Sequence, residues 1–268
     1  MRVALVGKGG SGKSALAGVL ARVLARQGEP VLAVDSDPMP GLSLSLGMGV
    51  LEAPIPDDAV EEKEQGQPGP RFGLRPNLSA AEAIERYATV GPDGVRFLQF
   101  GKLRGHVSPF VRSQFAFRGI LDQLPVLGWT VVGDLPGGTR QPFAGWAGYA
   151  SQLLVVVEPT AKGMLSARRL ARLAQRGTPP LRVAAVANKV REPGDIELVR
   201  ARTGLDVLAG VPEDPAVGTA ERLGVSVLDH EPGSPAVTVI ASLAQALVVE
   251  HQSSTAPGRA REGARPGE

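Results

Sequence analysis

Apolar residues in this chain are concentrated in short uninterrupted runs, and segments of helical periodicity lie between the runs. Each run is apolar at consecutive positions, which is typical of strands that are covered on both faces. Alternation of such strands with helices predicts an α/β fold in which helices cover both faces of a mostly parallel sheet. The runs are VALVG (3–7), VLAVD (31–35), WTVVGD (129–134), QLLVVVE (152–158), LRVAAVAN (181–188) and DVLAGV (206–211).

The helical segments carry recognisable start and stop signals. Thr160 is a suitable N-cap for a helix that ends near Arg176, where Gly177 follows as a stop signal. Another helix is expected after Pro215. A last helix is expected from about Ala236 to Val249.

Two segments depart from this alternation. Residues 51–76 are rich in proline, glycine and acidic residues, which predicts a partly mobile surface insertion. A helix around Ser79–Tyr87 and a strand around Val95–Phe100 are expected to follow it. Residues 251–268 contain almost no large apolar side chain, which predicts a disordered tail. The expected organisation is therefore one domain over residues 1–250, followed by this tail.

A phosphate-binding signature follows the first predicted strand. Residues 7–14 read GKGGSGKS, which satisfies G-x-x-x-x-G-K-[ST] between a strand and a helix, the context of a P-loop. Its glycines permit backbone conformations in which N–H groups surround an anion. Lys13 is expected to neutralise the β- and γ-phosphates, and Ser14 to bind Mg²⁺. The remaining residues expected to contact the nucleotide here are Gly9, Gly10, Ser11, Gly12 and Ala15.

Aspartates end two of the predicted strands. Asp35 and Asp37 close the second strand, and Asp134 closes the third long apolar run. Ligands of open parallel sheets bind beyond the carboxyl ends of the strands, so these carboxylates are expected near the P-loop. One of Asp35 and Asp37 is expected to orient Mg²⁺ or its waters, and the other to position the attacking water. Asp134 is expected to reach Mg²⁺ through water, and Gly137 to offer its N–H to the γ-phosphate.

Two later strand ends are candidates for contacts with a purine base. The amide of Asn188 has both a donor and an acceptor, so it can pair with the edge of a base. Pro212 begins a rigid turn, in the segment VPEDPAV, that is suited to lining a base pocket. Neither residue distinguishes ATP from GTP by its chemistry alone.

Composition limits the classes of partner and compartment. With 29 basic and 27 acidic residues the net charge is +2, so no strong field for nucleic acid is expected. The absence of cysteine excludes disulfides and thiolate metal sites, and it fits a reducing compartment. No apolar run is long enough to span a bilayer, and no signal peptide precedes the first strand. A cytoplasmic location is therefore expected.

The segment KGGSGKS (8–14) resembles the deviant Walker A motif, KGGxGK[ST], of the MinD/ParA-type P-loop ATPases. The resemblance implies ATP and Mg²⁺ as cofactors, ATP hydrolysis, and a homodimer that forms on ATP binding. It also implies that Lys8 reaches the nucleotide of the partner subunit. VDSDP resembles switch I and implies that Asp37 activates the attacking water near the metal. DLPGGT resembles switch II and assigns Asp134, while VANKV implies that Asn188 contacts adenine.

The later motifs narrow the resemblance to one branch. VDSDP (34–38), VVEPT (156–160) and VPEDPAV (211–217) are most similar to the nickel-insertion ATPases of carbon monoxide dehydrogenase and to the nitrogenase iron protein. Members of that branch carry cysteines in the middle of the chain, for nickel or for an iron–sulfur cluster. The comparable stretch here, residues 97–114, contains no cysteine, and His106 is its sole borderline metal ligand. The resemblance therefore implies the ATP machinery without the metal chemistry of those relatives.

These patterns predict a switch ATPase that uses ATP hydrolysis to change the conformation of a client protein, as a maturation or accessory ATPase does. The alternative is a partition or positioning ATPase that binds DNA or membrane. For that alternative, Arg168, Arg172 and Arg176 share one face of a predicted helix. A non-hydrolysing regulatory subunit is a third class, and the complete set of phosphate, metal and water-positioning residues argues against it.

Overall fold

The computed structural model describes residues 1–37, 41–51, 55–99, 107–138, 145–175 and 181–255. Strands and helices alternate along most of this length, as the sequence pattern predicts. The strands are β1 (Arg2–Gly7), β2 (Val31–Asp35), β3 (Val60–Glu62), β4 (Phe72–Leu74), β5 (Thr89–Val90), β6 (Arg96–Gln99), β7 (Thr130–Asp134), β8 (Gln152–Val157), β9 (Arg182–Val190) and β10 (Val207–Pro212). The helices are α1 (Lys13–Arg26), α2 (Leu42–Ser45), α3 (Ala80–Tyr87), α4 (Val107–Gln123), α5 (Ala161–Ala174), α6 (Gly194–Thr203), α7 (Pro215–Leu223), α8 (Val227–His230) and α9 (Pro235–Thr255).

Eight of these strands form one sheet in the order β10-β9-β8-β1-β7-β2-β6-β5. All neighbouring pairs are parallel except β5 and β6 at one edge. β1 lies in the middle of the sheet, between β8 and β7. The predicted fold class, a mostly parallel sheet with helices on both faces, is confirmed. Among the described helices, none has both the length and the apolar composition that crossing a bilayer requires.

Two apolar cores cover the two faces of the sheet. Consecutive residues of β1 show the division, because Val3 and Leu5 belong to one core and Ala4 and Val6 to the other. All four side chains are completely buried. One core lies under α1 and α9, and the other lies under α3, α4, α5 and α6. The consecutive apolar runs in the sequence therefore reflect burial on both faces, as predicted.

Capping side chains fix the start of two predicted helices. Thr160 Oγ1 accepts a hydrogen bond from the Gly163 N–H at 3.1 Å at the start of α5. Ser79 Oγ accepts from the Glu82 N–H at 3.2 Å, and the Glu82 carboxylate accepts from the Ser79 N–H at 3.0 Å. The second arrangement is a capping box, in which two helix-terminal N–H groups gain partners.

The last helix is longer than the sequence pattern predicts. α9 continues to Thr255, whereas the prediction ended it near Val249 and began the disordered tail at residue 251. Its final turns are held by an ion pair between Glu250 and Arg182 at the start of β9. The structure is therefore helical over residues 251–255, where the sequence pattern predicts a disordered tail. Residues 256–268 lie outside the described part of the chain.

The segment expected as a surface insertion contains a hairpin that is attached to the core. β3 and β4 pair antiparallel, with Glu62 opposite Phe72. Ile55 and Ala59, just before the hairpin, are buried in the same core as α4. The Phe72 ring lies 6.1 Å from the ring of Phe115 in α4. The ends of the insertion are therefore part of the domain, while its proline- and glycine-rich turn is exposed.

A tight contact behind β7 gives a stability prediction. A Cβ on Gly133 would lie 1.6 Å from Tyr149 Oη, and this buried hydroxyl has no hydrogen-bond partner among the described residues. We expect Gly133→Ala to lower the free energy of unfolding by about 3 kcal/mol, because the buried Tyr149 ring would have to shift within a close-packed core. The measurement is urea unfolding of the purified chain.

Tyr149→Phe is the matched background for this change. Since the hydroxyl is unpaired and buried, its removal is expected to leave stability within about 1 kcal/mol of the wild type. In that background Gly133→Ala should cost less than it does alone. Equal costs in both backgrounds would show that the hydroxyl does not limit the space at Gly133.

Candidate functional site

The P-loop connects β1 to α1 through two glycines in the left-handed region. Gly10 has φ 80° and Gly12 has φ 86°, conformations that favour glycine. Gly12 is also the N-cap of α1, and a Cβ there would lie 2.3 Å from Asn188 Nδ2. Both the backbone conformation and the close approach of Asn188 therefore require glycine at this position. The N-terminal end of α1 is left open to an anion.

The two lysines of this loop face different surroundings. Lys13, the first residue of α1, is only 8% exposed, and its Nζ lies 3.5 Å from the Lys8 carbonyl oxygen. Lys8 is exposed, and its ammonium has no partner among the described residues. Lys13 is therefore held inside the loop, while the Lys8 charge faces outward.

The hydroxyl and carboxylate expected at the metal are in contact. Ser14 Oγ donates a hydrogen bond to Asp134 Oδ2 at 2.5 Å. The other oxygen of Asp134, Oδ1, is buried and has no hydrogen-bond partner among the described residues. A free buried carboxylate oxygen beside a hydroxyl fits a Mg²⁺ site, because Mg²⁺ binds one or two protein oxygens together with water and phosphate. Within the described ranges, no group of three or more His, Asp or Glu residues forms a larger metal cluster.

The two aspartates after β2 have different surroundings. Asp35 is completely buried, and its Oδ1 accepts a hydrogen bond from the Asp37 N–H at 2.9 Å. Its Oδ2 accepts from the N–H groups of Gly41 and Leu42, at 3.1 and 3.0 Å. Asp35 therefore holds the loop that leads into α2, and both of its oxygens are already used. Asp37 is partly exposed and lies on this loop.

Burial alters the acidity of the two strand-end carboxyls. Asp35 and Asp134 are register partners in β2 and β7. Burial and, after it, the nearby charge of Asp134 together raise the pKa of Asp35 to about 7. Burial also raises the pKa of Asp134 to about 6, although the Ser14 hydrogen bond and the Lys13 charge oppose this rise. The protein therefore favours a proton or another positive charge at this pair.

A cavity of 610 Å³ extends from the P-loop to α7 and α9. Lys13, Ser14 and Ala15 line it, and so do Asn188 and Pro212, so these predicted site residues are brought together at one cavity. Asn188 differs from the expectation in one respect. Its Nδ2 donates a hydrogen bond to the Ser11 carbonyl at 2.8 Å, so one of the two N–H donors of the amide is already used. The acceptor Oδ1 has no partner among the described residues.

The loop after β7 rests directly on the P-loop. The Gly138 N–H donates to the Gly7 carbonyl at 3.3 Å. A Cβ on Gly137 would lie 3.2 Å from the Gly9 nitrogen. Gly137 therefore lies beside the backbone of the P-loop. Thr139 and residues 140–144 lie outside the described residues.

Some residues named in the sequence analysis lie outside the described part of the chain. They are Phe100, His106, Arg176 and Gly177. Arg168 and Arg172 are exposed on α5, as the predicted helix face requires.

Sequence analysis missed one ion pair at the site. Lys189 Nζ donates to the Gly10 carbonyl at 2.9 Å and to Glu158 Oε1 at 2.5 Å. Both residues stand in segments that the sequence analysis singled out, VANKV and VVEPT. Their pairing depends on β8 and β9 being neighbours in the sheet. No local sequence pattern predicts which strands become neighbours.

Several known proteins are similar to this chain in sequence. The family model described as the CobQ/CobB/MinD/ParA nucleotide binding domain matches residues 3–227. The carbon monoxide dehydrogenase accessory protein CooC of Rhodospirillum rubrum is 28% identical over 246 residues, which cover 87% of this chain and 91% of that protein. An uncharacterized ATP-binding protein of Methanocaldococcus jannaschii is 30% identical over 239 residues, which cover 84% and 90% of the two chains.

A solved structure has the same fold. The septum site-determining protein MinD of Pyrococcus horikoshii, complexed with Mg-ADP, superposes with a TM-score of 0.69. The match covers 91% of this chain and 94% of that chain, at 19% identity. The predicted resemblance to MinD/ParA-type P-loop proteins is confirmed.

The buried carboxyls give the protein without ligands a characteristic pH dependence. Between about pH 4 and about pH 7, Asp35 and Asp134 keep protons that the unfolded chain has released. The unfolded state then binds fewer protons, so the free energy of unfolding falls as pH rises. We expect a fall on the order of 2 kcal/mol, measured by urea unfolding between about pH 4.5 and about pH 7.5.

Asp134→Asn is the control, because an amide has a similar shape and does not titrate. Its stability should decline less over the same pH range. A decline parallel to that of the wild type would show that Asp134 has an ordinary pKa in the folded protein.

Proposed function

Because this chain belongs to the CobQ/CobB/MinD/ParA family of nucleotide-binding domains, we propose that it is a dimeric switch ATPase. It hydrolyses Mg-ATP to ADP and phosphate and thereby changes the conformation of a client protein. The similarity to CooC, an accessory protein of carbon monoxide dehydrogenase, supports a maturation or accessory role. The chain has no cysteine, so it offers no thiolate ligands to a metal cargo.

The opposite orientation of the two P-loop lysines carries the proposal. Lys13 is buried against its own loop, while Lys8 is exposed and lacks a partner among the described residues. A cavity of 260 Å³ lies beside Lys8, bounded by Gly137 and Gly138 of the loop after β7. An unpaired ammonium on the rim of a phosphate site can stabilise the charge of a nucleotide in a second subunit, as an arginine finger does in trans.

The remaining residues act within one subunit. Lys13 neutralises charge on the β- and γ-phosphates, and Ser14 and Asp134 would hold Mg²⁺. When bound, Mg²⁺ supplies charge stabilisation at the transferred phosphoryl group. Asp37 positions the water whose oxygen attacks the γ-phosphorus as the bond to the bridging oxygen breaks. Asp35 acts indirectly, because its oxygens hold the loop on which Asp37 lies.

The loop after β7 couples the nucleotide state to the conformation of the subunit. Its Gly138 N–H is bonded to the Gly7 carbonyl in this structure. A γ-phosphate beside Gly137 would compete for the N–H groups of this loop and draw it away from β1. Loss of that phosphate would restore the contact between loop and strand. This two-state loop is the element through which ATP would alter the surface that a client meets.

The exposed arginines of α5 support a second reading less strongly. Arg168 and Arg172 present two charges to solvent, as a DNA-binding or positioning ATPase would need. The third arginine of the predicted stripe lies outside the described residues, and the net charge of the chain is only +2. We therefore favour the accessory ATPase.

Mixing two inactive variants tests whether Lys8 acts in trans. We expect Lys8→Ala and Asp37→Ala each to lower ATP turnover at least about 100-fold, because each removes transition-state stabilisation. In a mixed dimer, the Lys8→Ala subunit keeps its own Asp37 and receives Lys8 from the partner. An equimolar mixture should recover about a quarter of wild-type turnover, since half of the dimers are mixed and each has one complete site.

The control mixture pairs Lys8→Ala with the double variant Lys8→Ala/Asp37→Ala. No dimer in it contains Lys8, so no recovery is expected. If the first mixture recovers no more turnover than this control, Lys8 does not act in trans.

The free acceptor oxygen of Asn188 predicts a preference for adenine. One of the two N–H groups of Nδ2 is bonded to Ser11, and Oδ1 has no partner among the described residues, so we expect Oδ1 to meet the base. Adenine offers an N6 amino donor, whereas guanine presents an O6 acceptor at the same position. We expect Mg-ADP to bind at least about tenfold more tightly than Mg-GDP, because the guanine oxygen would meet another acceptor.

Isothermal titration calorimetry of the two diphosphates measures this preference. The matched variant is Asn188→Ala, which removes the acceptor and should reduce the ratio of the two affinities. Equal binding of both diphosphates by the wild type would show that Asn188 does not select the base.

A further inference from the structure

Lys189 has an unusual backbone conformation at the end of β9. Its φ is 59°, and the only other non-glycine residue with positive φ in the described ranges is Asp93. A lysine in the left-handed region is less stable than one in an extended strand. Such a conformation persists where surrounding contacts hold it, and it is often found at functional sites. The register of β9 and β10 shifts at this point, since Asn188 pairs with Val211 and Val190 with Pro212, so Lys189 is the extra residue of a bulge.

The Lys189 ammonium joins three parts of the site. It donates to the Gly10 carbonyl at 2.9 Å and to Glu158 Oε1 at 2.5 Å. Glu158 follows β8, Lys189 lies near the end of β9, and Gly10 is at the apex of the P-loop. The side chain therefore connects the apex of the loop to two neighbouring strands of the rigid sheet.

The apex of the P-loop has little other support. A Cβ on Gly9 or on Gly10 would meet no atom within 4 Å, so open space lies in the direction in which a side chain would extend from either residue. Among the described residues, Lys189 makes the one side-chain hydrogen bond to the backbone of this Gly9–Gly10 pair. With glycine at this position, little steric resistance opposes rotation of the peptide unit between Gly10 and Ser11.

The two ends of that peptide unit are held in opposite directions. Its carbonyl accepts from Lys189, and its N–H, on Ser11, donates to the Lys8 carbonyl at 3.2 Å. Because the peptide is planar and trans, fixing one group fixes the other. If the unit rotated, the Gly10 carbonyl oxygen would turn toward the phosphate cradle, where its partial negative charge would repel the nucleotide.

We propose that Lys189 is a positioning residue that holds the Gly10 carbonyl away from the phosphates, and that Glu158 holds Lys189 in place. The inference rests on the proposed nucleotide-binding function. The side chain also forms part of the wall between the 610 Å³ cavity and a second cavity of 490 Å³, which Glu158 lines. Lys189 therefore acts from outside the phosphate cradle, through the backbone.

Lys189 could affect nucleotide binding in two ways, and these predict opposite effects of neutralising Glu158. If Lys189 simply attracts phosphates by its charge, neutralising Glu158 leaves that charge uncompensated and tightens nucleotide binding. If Lys189 positions the peptide, neutralising Glu158 loosens the lysine and weakens binding. Glu158→Gln, which keeps the size of the side chain, separates the two.

The experiment is calorimetric titration of the full chain with Mg-ADP. We expect Lys189→Met to weaken binding about tenfold and Glu158→Gln about threefold. The double variant should bind as the Lys189→Met variant does, because Glu158 acts only through the lysine. In turnover assays, KM should rise while kcat at saturating ATP stays within about threefold of the wild type.

Lys162→Met is the matched control, because Lys162 is exposed on the neighbouring α5 and its ammonium has no partner among the described residues. Its binding should match the wild type within about twofold. Unchanged binding by Lys189→Met, or tighter binding by Glu158→Gln, would overturn the proposal. If Lys189→Met fails to fold, the direction of the Glu158→Gln effect decides. If the wild type binds no Mg-ADP, the proposed function is wrong, and this inference is wrong with it.

Discussion

The parallel register of the central strands is the constraint on which the site depends. β1, β2 and β7 are aligned so that Asp35 lies opposite Asp134, one strand away from the start of the P-loop at Gly7. β9 and β10 extend the same edge and bring Asn188 beside Ser11. Parallel strands need crossover connections, usually helices, and each crossover returns the chain to this edge of the sheet. Residues more than a hundred positions apart thus form one pocket.

The same alignment places two carboxyls in a dry interior, which is unfavourable without a compensating positive charge. The Asp35 carboxyl gains backbone donors from the loop before α2, while Asp134 gains only the Ser14 hydroxyl and the nearby Lys13. One oxygen of Asp134 remains without a partner among the described residues. A bound cation would relieve this cost, so nucleotide with its metal would also stabilise the folded protein.

Sequence patterns predicted the fold and the strand-end residues, because each is encoded locally: a P-loop signature, an apolar run and the acid that ends it. They did not predict α4, whose apolar positions contact the hairpin as well as the sheet, or α6, which buries few of its side chains. Nor did they show that the Asn188 amide donates to the Ser11 carbonyl, or that the Lys189 ammonium donates to the Gly10 carbonyl. These contacts depend on which strands become neighbours, and that information is distributed over the whole chain.

Three lysines around one loop illustrate how position decides the role of a residue type. Lys13 is buried beside the carboxyls, whereas Lys8 has the same charge on an exposed rim. Lys189 is bonded to a carboxylate and a carbonyl, so its charge is largely compensated and the contribution we propose for it is geometric. A mutation at each site should therefore change a different quantity. For Lys13 it is the rate of the chemical step, for Lys8 the turnover that depends on dimer formation, and for Lys189 the affinity for the bound nucleotide. Because these quantities are measured separately, the three roles can be told apart without a structure of the complex.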